Sequence, residues 1–199
     1  MLWINIGTER SYKVFDIQFS KKKFLIVYNF FMKKNIEIIY LAGGCYWGLE
    51  HLINEISGVI DTEVGFSGGH IKNVCYKEVT KGDTGHAETV KVEFDNLILT
   101  LDALFEEFFK IHNPTTLNQQ GNDMGTQYRS AIFYINDDQK QIARKTIKKI
   151  DDSHVWGAPI VTSLEQFSAF YPAEESHQKY LIKNPTGYTC HFKRNITFD

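Results

Sequence analysis

The chain has 199 residues, of which 43% are hydrophobic and 23% are charged, a composition that can bury the core of one globular domain. Its formal net charge is −2, so it has no broad basic field of the kind that holds nucleic acid, and it has no acidic tail. We therefore expect small molecules or other proteins as partners.

Residues 1–31 are predicted to be an N-terminal extension. Lysines at 21–23 and an apolar run at 24–31 imitate the two halves of a signal peptide, but the run is short and has no small-residue cleavage site. It is also too short to span a bilayer, so we expect no membrane partner. A targeting or anchoring role is the alternative. Our preferred hypothesis is that translation begins at Met32 and that residues 32–199 form a single domain.

The sequence predicts strands and helices from apolar residues that recur with a period of two or of about 3.6. In chain order these are a strand at 36–41, a helix from about 45 to 57, strands at 59–66 and 88–94, a helix at 101–112, a strand at 130–135, a charged surface helix at 137–150, a short edge strand at 160–164 and a short helix at 174–181. Residues 183–199 are expected to be an irregular, mobile tail. The core order β-α-β-β-α-β predicts an α+β fold of the ferredoxin-like, split βαβ type, a two-layer sandwich with helices on one face of a mostly antiparallel sheet.

Cys45 is a candidate nucleophile. It forms neither a Cys-x-x-Cys pair nor a zinc-ligand spacing with Cys75 and Cys190, so a disulfide scaffold and a structural zinc site are not expected. In the turn between the first strand and the first helix it would face free N–H groups and the positive end of the helix dipole, which lowers a thiol pKa. The alternative is a small buried hydrophobe at a tight turn. A reducing compartment would keep a nucleophilic thiol available, which favours the cytoplasm.

The residues beside Cys45 favour a ligand site. The glycines at 43, 44 and 48 would let a ligand approach the backbone closely. Tyr46 and Trp47 put two aromatic rings next to the thiol, and an exposed pair would suit an apolar methyl group, whereas core packing is the alternative.

Two polar residues near the third strand are candidates for proton transfer. Glu88 shares a strand face with apolar residues, so its carboxyl would be buried, and burial would raise its pKa and make it a general acid. The alternative is a strand-end carboxylate that turns to solvent or pairs with a lysine. His86 could serve Cys45 as a general base, although a lone histidine is more often structural.

A loop dense in hydrogen-bonding groups carries Asp123 and Tyr128 just before the strand at 130–135. Such loops often hold functional sites. The glycine-rich loops of the chain match neither a P-loop nor a strand-anchored GxGxxG, which excludes nucleotide binding.

Several motifs resemble one known family. GCYWG at 44–48 resembles the GCFWG signature of the A-type peptide-methionine sulfoxide reductases, with tyrosine in place of phenylalanine. The segments GDTGHAE at 82–88 and GNDMGTQYRS at 121–130 also match. Shorter matches lie at 112–115, 173–174, 177–178, 183–185 and 187–188, and the family's order is kept over roughly residues 40–194.

The resemblance implies thiol-dependent reduction of the S epimer of methionine sulfoxide, free or in proteins, to methionine. Cys45 would attack the sulfoxide sulfur and become a sulfenic acid. Glu88, with the hydroxyls of Tyr76 and Tyr128, would hydrogen-bond and protonate the departing oxygen.

Substrate contacts follow from the same resemblance. Tyr46 and Trp47 would hold the ε-methyl group of the substrate, and Asp123 would help to hold the reacting group or the substrate backbone. This grip would set the stereochemistry.

The resemblance also implies how the enzyme is recycled. Cys190, in the tail, would attack the sulfenic acid to give a Cys45–Cys190 disulfide, which thioredoxin would reduce by thiol exchange. No metal or organic cofactor is implied, because an external dithiol, thioredoxin or dithiothreitol, supplies the electrons. A monomer is the expected state.

The chain departs from the family pattern at residues 73–76. Asn73-Val74-Cys75-Tyr76 replaces the usual Asn-Pro-Thr-Tyr, so the loop that carries Tyr76 loses a rigid proline. Cys75 could trap the sulfenic acid, but a buried, unreactive thiol is the preferred interpretation.

Two other functions stay open at this stage. One is a cysteine hydrolase or acyltransferase that uses Cys45 with His86, which leaves Cys190 and Glu88 without roles. The other is a non-catalytic module that binds methionine sulfoxide or a protein partner.

Overall fold

The computed structural model describes residues 35–199. The predicted extension at 1–31 and the proposed start at Met32 lie outside the described residues. None of the helices within 35–199 is long and apolar enough to cross a membrane.

The described part of the chain contains one large sheet and helices that cover it. Its elements are β1 (Ile36–Gly43), α1 (Tyr46–Asn54), β2 (Val59–Ser67), the one-turn helix α2 (Tyr76–Val79), β3 (Ala87–Asp95), α3 (Leu101–Ile111), β4 (Gln119–Gln120), β5 (Asp123–Met124), a 3-10 turn (Thr126–Tyr128), β6 (Ser130–Tyr134), α4 (Asp137–Asp152), β7 (Ser163–Gln166), β8 (Phe170–Pro172) and the one-turn helix α5 (Tyr180–Lys183).

The six-stranded sheet has the strand order β7-β6-β1-β3-β2-β8. Its four central strands, β6-β1-β3-β2, pair with one another in antiparallel fashion, and this order is that of the split βαβ sandwich. The prediction of a ferredoxin-like α+β fold is therefore confirmed. β7 pairs in parallel with β6 and makes the sheet mixed. Because Leu41 of β1 pairs with Val90 of β3, the C-terminal end of β1 and the N-terminal end of β3 lie side by side.

Apolar side chains from the helices and the sheet form one main core. α1 contributes Leu49 and Ile53, which lie four residues apart on one helix face and are fully buried. α3 contributes Leu104, Phe105 and Phe108 in the same way. Burial of one such Leu, Ile or Phe side chain stabilises a fold by about 1.5–3 kcal/mol, so these faces fix the helices on the sheet.

The helix predicted at 174–181 is wrong over most of its length, because only Tyr180–Lys183 is helical. Tertiary hydrogen bonds hold the preceding residues in a turn. Gln178 bonds both the N–H and the C=O of Val64 through its side chain, and the backbone N–H of Lys179 donates to Glu50. The predicted edge strand at 160–164 also begins later, at Ser163.

The tail at 184–199 has no helix or strand, as predicted, but it packs against the rest of the molecule. His191 and Phe198 are buried, and the backbone N–H of Arg194 donates to the carbonyl oxygen of Lys110. The prediction of a mobile tail does not fit these contacts.

Candidate active site around Cys45

Cys45 lies between the end of β1 and the start of α1, where it is the N-cap residue of that helix. Only 7% of the residue is exposed. Gly44 precedes it with a φ of +100°, and a Cβ at this position would approach the side chain of Gln120 to 2.5 Å. Glycine is therefore required in the turn that presents the thiol.

The thiol of Cys45 is less acidic in this structure than its position at the helix predicted. Burial raises its pKa, and the negative charge of Glu88 raises it further. A hydrogen bond from the backbone N–H of Trp47 lowers the pKa but does not outweigh burial. The prediction of a lowered pKa is wrong for the resting site, because desolvation is a larger effect than the free N–H groups of α1.

Glu88 lies on β3 and is buried, with 2% of the residue exposed. Its Oε2 accepts a hydrogen bond of 3.1 Å from the backbone N–H of Tyr46, which ties the carboxyl to the first turn of α1. Burial raises the pKa of Glu88 to about 8, and the charge of Asp123 acts in the same direction. The predicted burial of this carboxyl is confirmed and the alternative of a solvent-facing carboxylate is excluded, whereas its role as a general acid stays a prediction.

Tyr76 and Tyr128 are half-buried and come from α2 and from the 3-10 turn. Burial raises the pKa of each phenol, and the charges of Glu88 and Cys45 raise it further, so both rings belong to the surroundings of the thiol and the carboxyl. The backbone N–H of Tyr76 donates to Glu174 over 3.3 Å. This bond ties down the loop that lacks the usual proline.

Trp47 lies in a stack of aromatic rings. Its ring centroid is 3.9 Å from that of Tyr180 and 5.6 Å from that of His177, and its Nε1 donates to Nδ1 of His177 over 3.2 Å. Tyr46 is instead fully buried, against Phe66. The prediction of two exposed aromatic residues is therefore wrong for Tyr46, whose ring belongs to the core beside the half-buried Trp47.

The hydroxyl of Tyr46 is buried without a hydrogen-bond partner among the described residues. An unpaired buried polar group costs about 1–3 kcal/mol, so we expect Tyr46→Phe to raise the free energy of unfolding by that amount. Urea unfolding followed by fluorescence measures it. Tyr134→Phe, at a second buried tyrosine whose hydroxyl is not among the buried unpaired atoms, is the matched control and should change stability by less than about 0.5 kcal/mol. A destabilised Tyr46→Phe protein would show that the hydroxyl has a partner.

Cys190 of the tail lies next to Cys45. The backbone N–H of Cys45 donates to the sulfur of Cys190, and both cysteines are free thiols here. Burial raises the pKa of Cys190 to about 12, and a hydrogen bond with Asp123 contributes to this. Both carboxylate oxygens of Asp123 also lie 3.1 Å from the hydroxyl of Tyr188, which donates to them.

The glycines at 44 and 48 make room for the tail in this structure, and not for a ligand as the sequence suggested. A Cβ on Gly48 would lie 2.7 Å from Nδ1 of His191, and a Cβ on Gly44 would lie 3.2 Å from Cε1 of the same ring. The tail therefore sits directly on the turn and the first helix of the nucleophile.

His86 is structural. Its Nδ1 accepts a hydrogen bond of 3.2 Å from the backbone N–H of Gly69, and its Nε2 donates to the carbonyl oxygen of Ile71 over 2.7 Å. Both ring nitrogens are therefore engaged by backbone groups. This leaves the hydrolase hypothesis without its base for Cys45.

Cys75 is exposed, so the interpretation of a buried thiol is wrong. It precedes Tyr76 and caps the one-turn helix α2, and its backbone N–H donates to the side chain of Glu78 over 3.0 Å. Two residues earlier on the loop, Asn73 adopts a left-handed φ of 55°.

Four site residues were missed by the sequence reasoning. The rings of His177 and Tyr180 contact that of Trp47, Tyr188 donates to Asp123, and His191 contacts Cys190. Aromatic density near the tail cysteine was the signal that could have found the last two. No group of three or more potential metal-binding side chains occurs within residues 35–199.

Comparison with known proteins gives one consistent family. The family model described as peptide methionine sulfoxide reductase matches residues 37–199. The chain is 47% identical over 163 residues to peptide methionine sulfoxide reductase MsrA 1 of Mesorhizobium japonicum, which covers 82% of this chain and 92% of that protein.

The chain is also similar to solved structures. The reduced form of Mxr1 from Saccharomyces cerevisiae superimposes with a TM-score of 0.75 at 42% identity, over 80% of this chain and 93% of that one. Mxr1 in complex with Trx2 has a TM-score of 0.54 at 26% identity, over 82% of this chain and 96% of that one.

Proposed function

This chain belongs to the peptide methionine sulfoxide reductase family, and on that premise we propose that Cys45 is the thiol with which it reduces its substrate. Its activity is the thiol-dependent reduction of peptide-methionine (S)-S-oxide to methionine. The observation that supports the assignment is the pairing of a buried cysteine at the start of a helix with a buried, neutral carboxyl, that of Glu88. The same pairing is what acid-assisted attack on a sulfoxide requires.

The protonation states of Cys45 and Glu88 are coupled. An ionised Glu88 raises the pKa of the thiol, so a thiolate forms most easily when Glu88 holds its proton. The pKa of about 8 keeps Glu88 protonated near neutral pH. The hydrogen bond from the backbone N–H of Trp47 then favours the thiolate. The reactive state therefore combines a thiolate with a neutral acid.

In the reaction, the sulfur of Cys45 attacks the sulfoxide sulfur while Glu88 protonates the sulfoxide oxygen. The hydroxyls of Tyr76 and Tyr128 donate hydrogen bonds to the same oxygen. Overall, the oxygen passes to Cys45, which becomes a sulfenic acid, and the substrate sulfur gains two electrons and leaves as methionine. The proton that the Cys45 thiol loses on forming the thiolate balances the proton that Glu88 donates, so the reaction consumes no proton overall.

Trp47 is the proposed contact for the ε-methyl group, because it is half-buried beside Cys45 and held between two other rings. Tyr46 does not contact the substrate in this proposal, because its ring is buried in the core beside Trp47. Asp123 is proposed to hold the reacting group or the substrate backbone, after exchanging its bonds to the tail for bonds to the substrate.

Recycling is proposed to use Cys190. Its hydrogen bond with the backbone N–H of Cys45 supports a disulfide between the two, formed by attack on the sulfenic acid. Thioredoxin is the proposed reductant, which the complex of Mxr1 with Trx2 supports. The enzyme is proposed to act as a cytoplasmic monomer on free and protein-bound methionine sulfoxide, in protein repair, with no metal or organic cofactor.

The test of this function uses the separated S and R epimers of a methionine sulfoxide peptide. With dithiothreitol as reductant, we expect the S epimer to be consumed and the R epimer to remain, as measured by chromatography of the peptide. Heat-unfolded protein at the same concentration is the control for reduction by dithiothreitol alone. If folded, reduced protein binds the peptide but consumes neither epimer, the chain is a binding module and the proposed chemistry is wrong.

A further inference from the structure

The imidazole of His191 is held in one tautomer. Its Nε2 lies 2.7 Å from the carbonyl oxygen of Gly43, which can only accept a hydrogen bond. Nε2 therefore carries the proton, and Nδ1 has a free lone pair. The ring is buried against the glycines at 44 and 48, so this orientation is fixed by packing.

The free nitrogen faces the thiol of Cys190. Nδ1 lies 3.4 Å from its Sγ, which is within hydrogen-bonding distance for sulfur. The backbone N–H of His191 donates to Oγ1 of Thr189 over 3.1 Å, and this bond fixes the chain around the cysteine. The carboxylate of Asp123 also hydrogen-bonds this thiol here, but in the proposed function Asp123 turns to the substrate. His191, in the correct tautomer, is then the base at the sulfur whose proton is removed as it attacks.

The surroundings make such a base necessary. Burial raises the pKa of Cys190 to about 12, so a free thiolate is rare near neutral pH. Burial lowers the pKa of His191 to about 4, so its ring is neutral and can accept a proton. The titratable and charged groups that face His191 are Asp123, Arg194, His112 and Cys190, of which Asp123 favours the protonated ring and Arg194 opposes it.

We propose that His191 is the general base of the recycling step, and this inference rests on the proposed role of Cys190. Nδ1 takes the thiol proton as the sulfur of Cys190 attacks the sulfenic sulfur of Cys45. The S–S bond forms, the S–O bond breaks, and the departing hydroxide receives that proton and leaves as water. Cys190 is oxidised and Cys45 is reduced. Proton transfer accompanies bond formation, so neither a free thiolate nor a lasting imidazolium has to accumulate.

The test is a single turnover of reduced protein with one equivalent of the S-epimer peptide. Quenching with a maleimide and intact mass spectrometry separate the sulfenic acid from the disulfide. His191→Gln places an amide near the position of Nε2, so it can still donate to Gly43, but it has no base at Nδ1. We expect disulfide formation to slow by about 10²-fold at pH 7 relative to methionine release. His51→Gln, at a half-buried histidine of α1 outside the site, is the matched control and should match the wild type.

The pH dependence of disulfide formation shows whether His191 acts as a base or only supports the structure. The wild-type rate of disulfide formation should be flat from pH 5 to 9, because His191 is neutral throughout that range. In His191→Gln only the thiolate reacts, so the rate should rise about tenfold per pH unit. If the variant does not fold, the wild-type profile decides alone, and a tenfold rise per unit in the wild type would overturn the proposal.

A further variant distinguishes this inference from the function on which it rests. Cys190→Ser should release one equivalent of methionine and accumulate the sulfenic acid. If Cys190→Ser turns over with thioredoxin as the wild type does, the proposed recycling route is wrong. If Cys190→Ser stalls but His191→Gln forms the disulfide at the wild-type rate, only the role of His191 is overturned.

Discussion

Cys45→Ser is expected to abolish reduction of the S epimer, with a loss of at least about 10³-fold in turnover. A serine hydroxyl is a poor nucleophile towards sulfur and cannot become a sulfenic acid, whereas the two side chains have almost the same shape. The measurement is methionine release with dithiothreitol, together with labelling of the oxidised protein by a sulfenic-acid probe. Both signals should disappear. The far-ultraviolet circular dichroism and the urea midpoint should remain close to those of the wild type.

Cys75→Ser is the matched control, because this second cysteine is exposed and lies on the loop that carries Tyr76. We expect it to retain methionine release and the sulfenic-acid signal. If activity survives in Cys45→Ser but disappears in Cys75→Ser, the nucleophile is Cys75 and the proposed role of Cys45 is wrong. This pair of variants is decisive because the exposed thiol of Cys75 could otherwise account for the labelling signal.

The central fold could be predicted from local patterns. The β-branched run of β1, the alternation in β3 and the apolar stripes of α1 and α3 each reflect a period that the chain shows within ten residues. The burial of Glu88 followed from the same alternation, since its face of β3 also carries Val90 and Val92. Here the local pattern and the tertiary structure agree.

The parts that could not be predicted depend on contacts between distant segments. The bond between Trp47 and His177 joins residues 130 apart, and nothing near either residue specifies it. The turn at Gln178 and Lys179 replaces a predicted helix because side chains bind the backbone of β2. Desolvation of Cys45 is likewise a property of the folded site, which is why its pKa is raised although the helix position predicted the opposite.

Glu88→Gln is expected to slow methionine release in a single turnover by about 10²–10⁴-fold. The amide can still accept the hydrogen bond from Tyr46 but cannot protonate the sulfoxide oxygen. In the wild type, the single-turnover rate should rise with pH up to about 8 and then level off, because above that pH the growing thiolate fraction of Cys45 is offset by the loss of the proton that Glu88 must donate. Rapid-quench measurement of methionine from pH 6 to 10 tests both statements. A wild-type rate in Glu88→Gln would remove Glu88 from the proton transfer.

The same substitution should make the protein more stable, and the pH dependence gives the reason. The pKa of Glu88 is about 8 when folded and near 4.5 when unfolded, so the folded state favours the proton, and that stabilisation is lost as the pH rises from 4.5 to 8. Gln cannot ionise, so Glu88→Gln should gain roughly 2–5 kcal/mol over the wild type at pH 9 and little at pH 4. Glu93→Gln, at a half-exposed position of the same strand, should show no such gain in urea unfolding. A pH-independent difference between Glu88→Gln and the wild type would mean that the carboxyl is not held neutral by burial. Glu88, the proposed acid of the reaction, is therefore expected to destabilise the fold when it loses its proton at a pH above about 8.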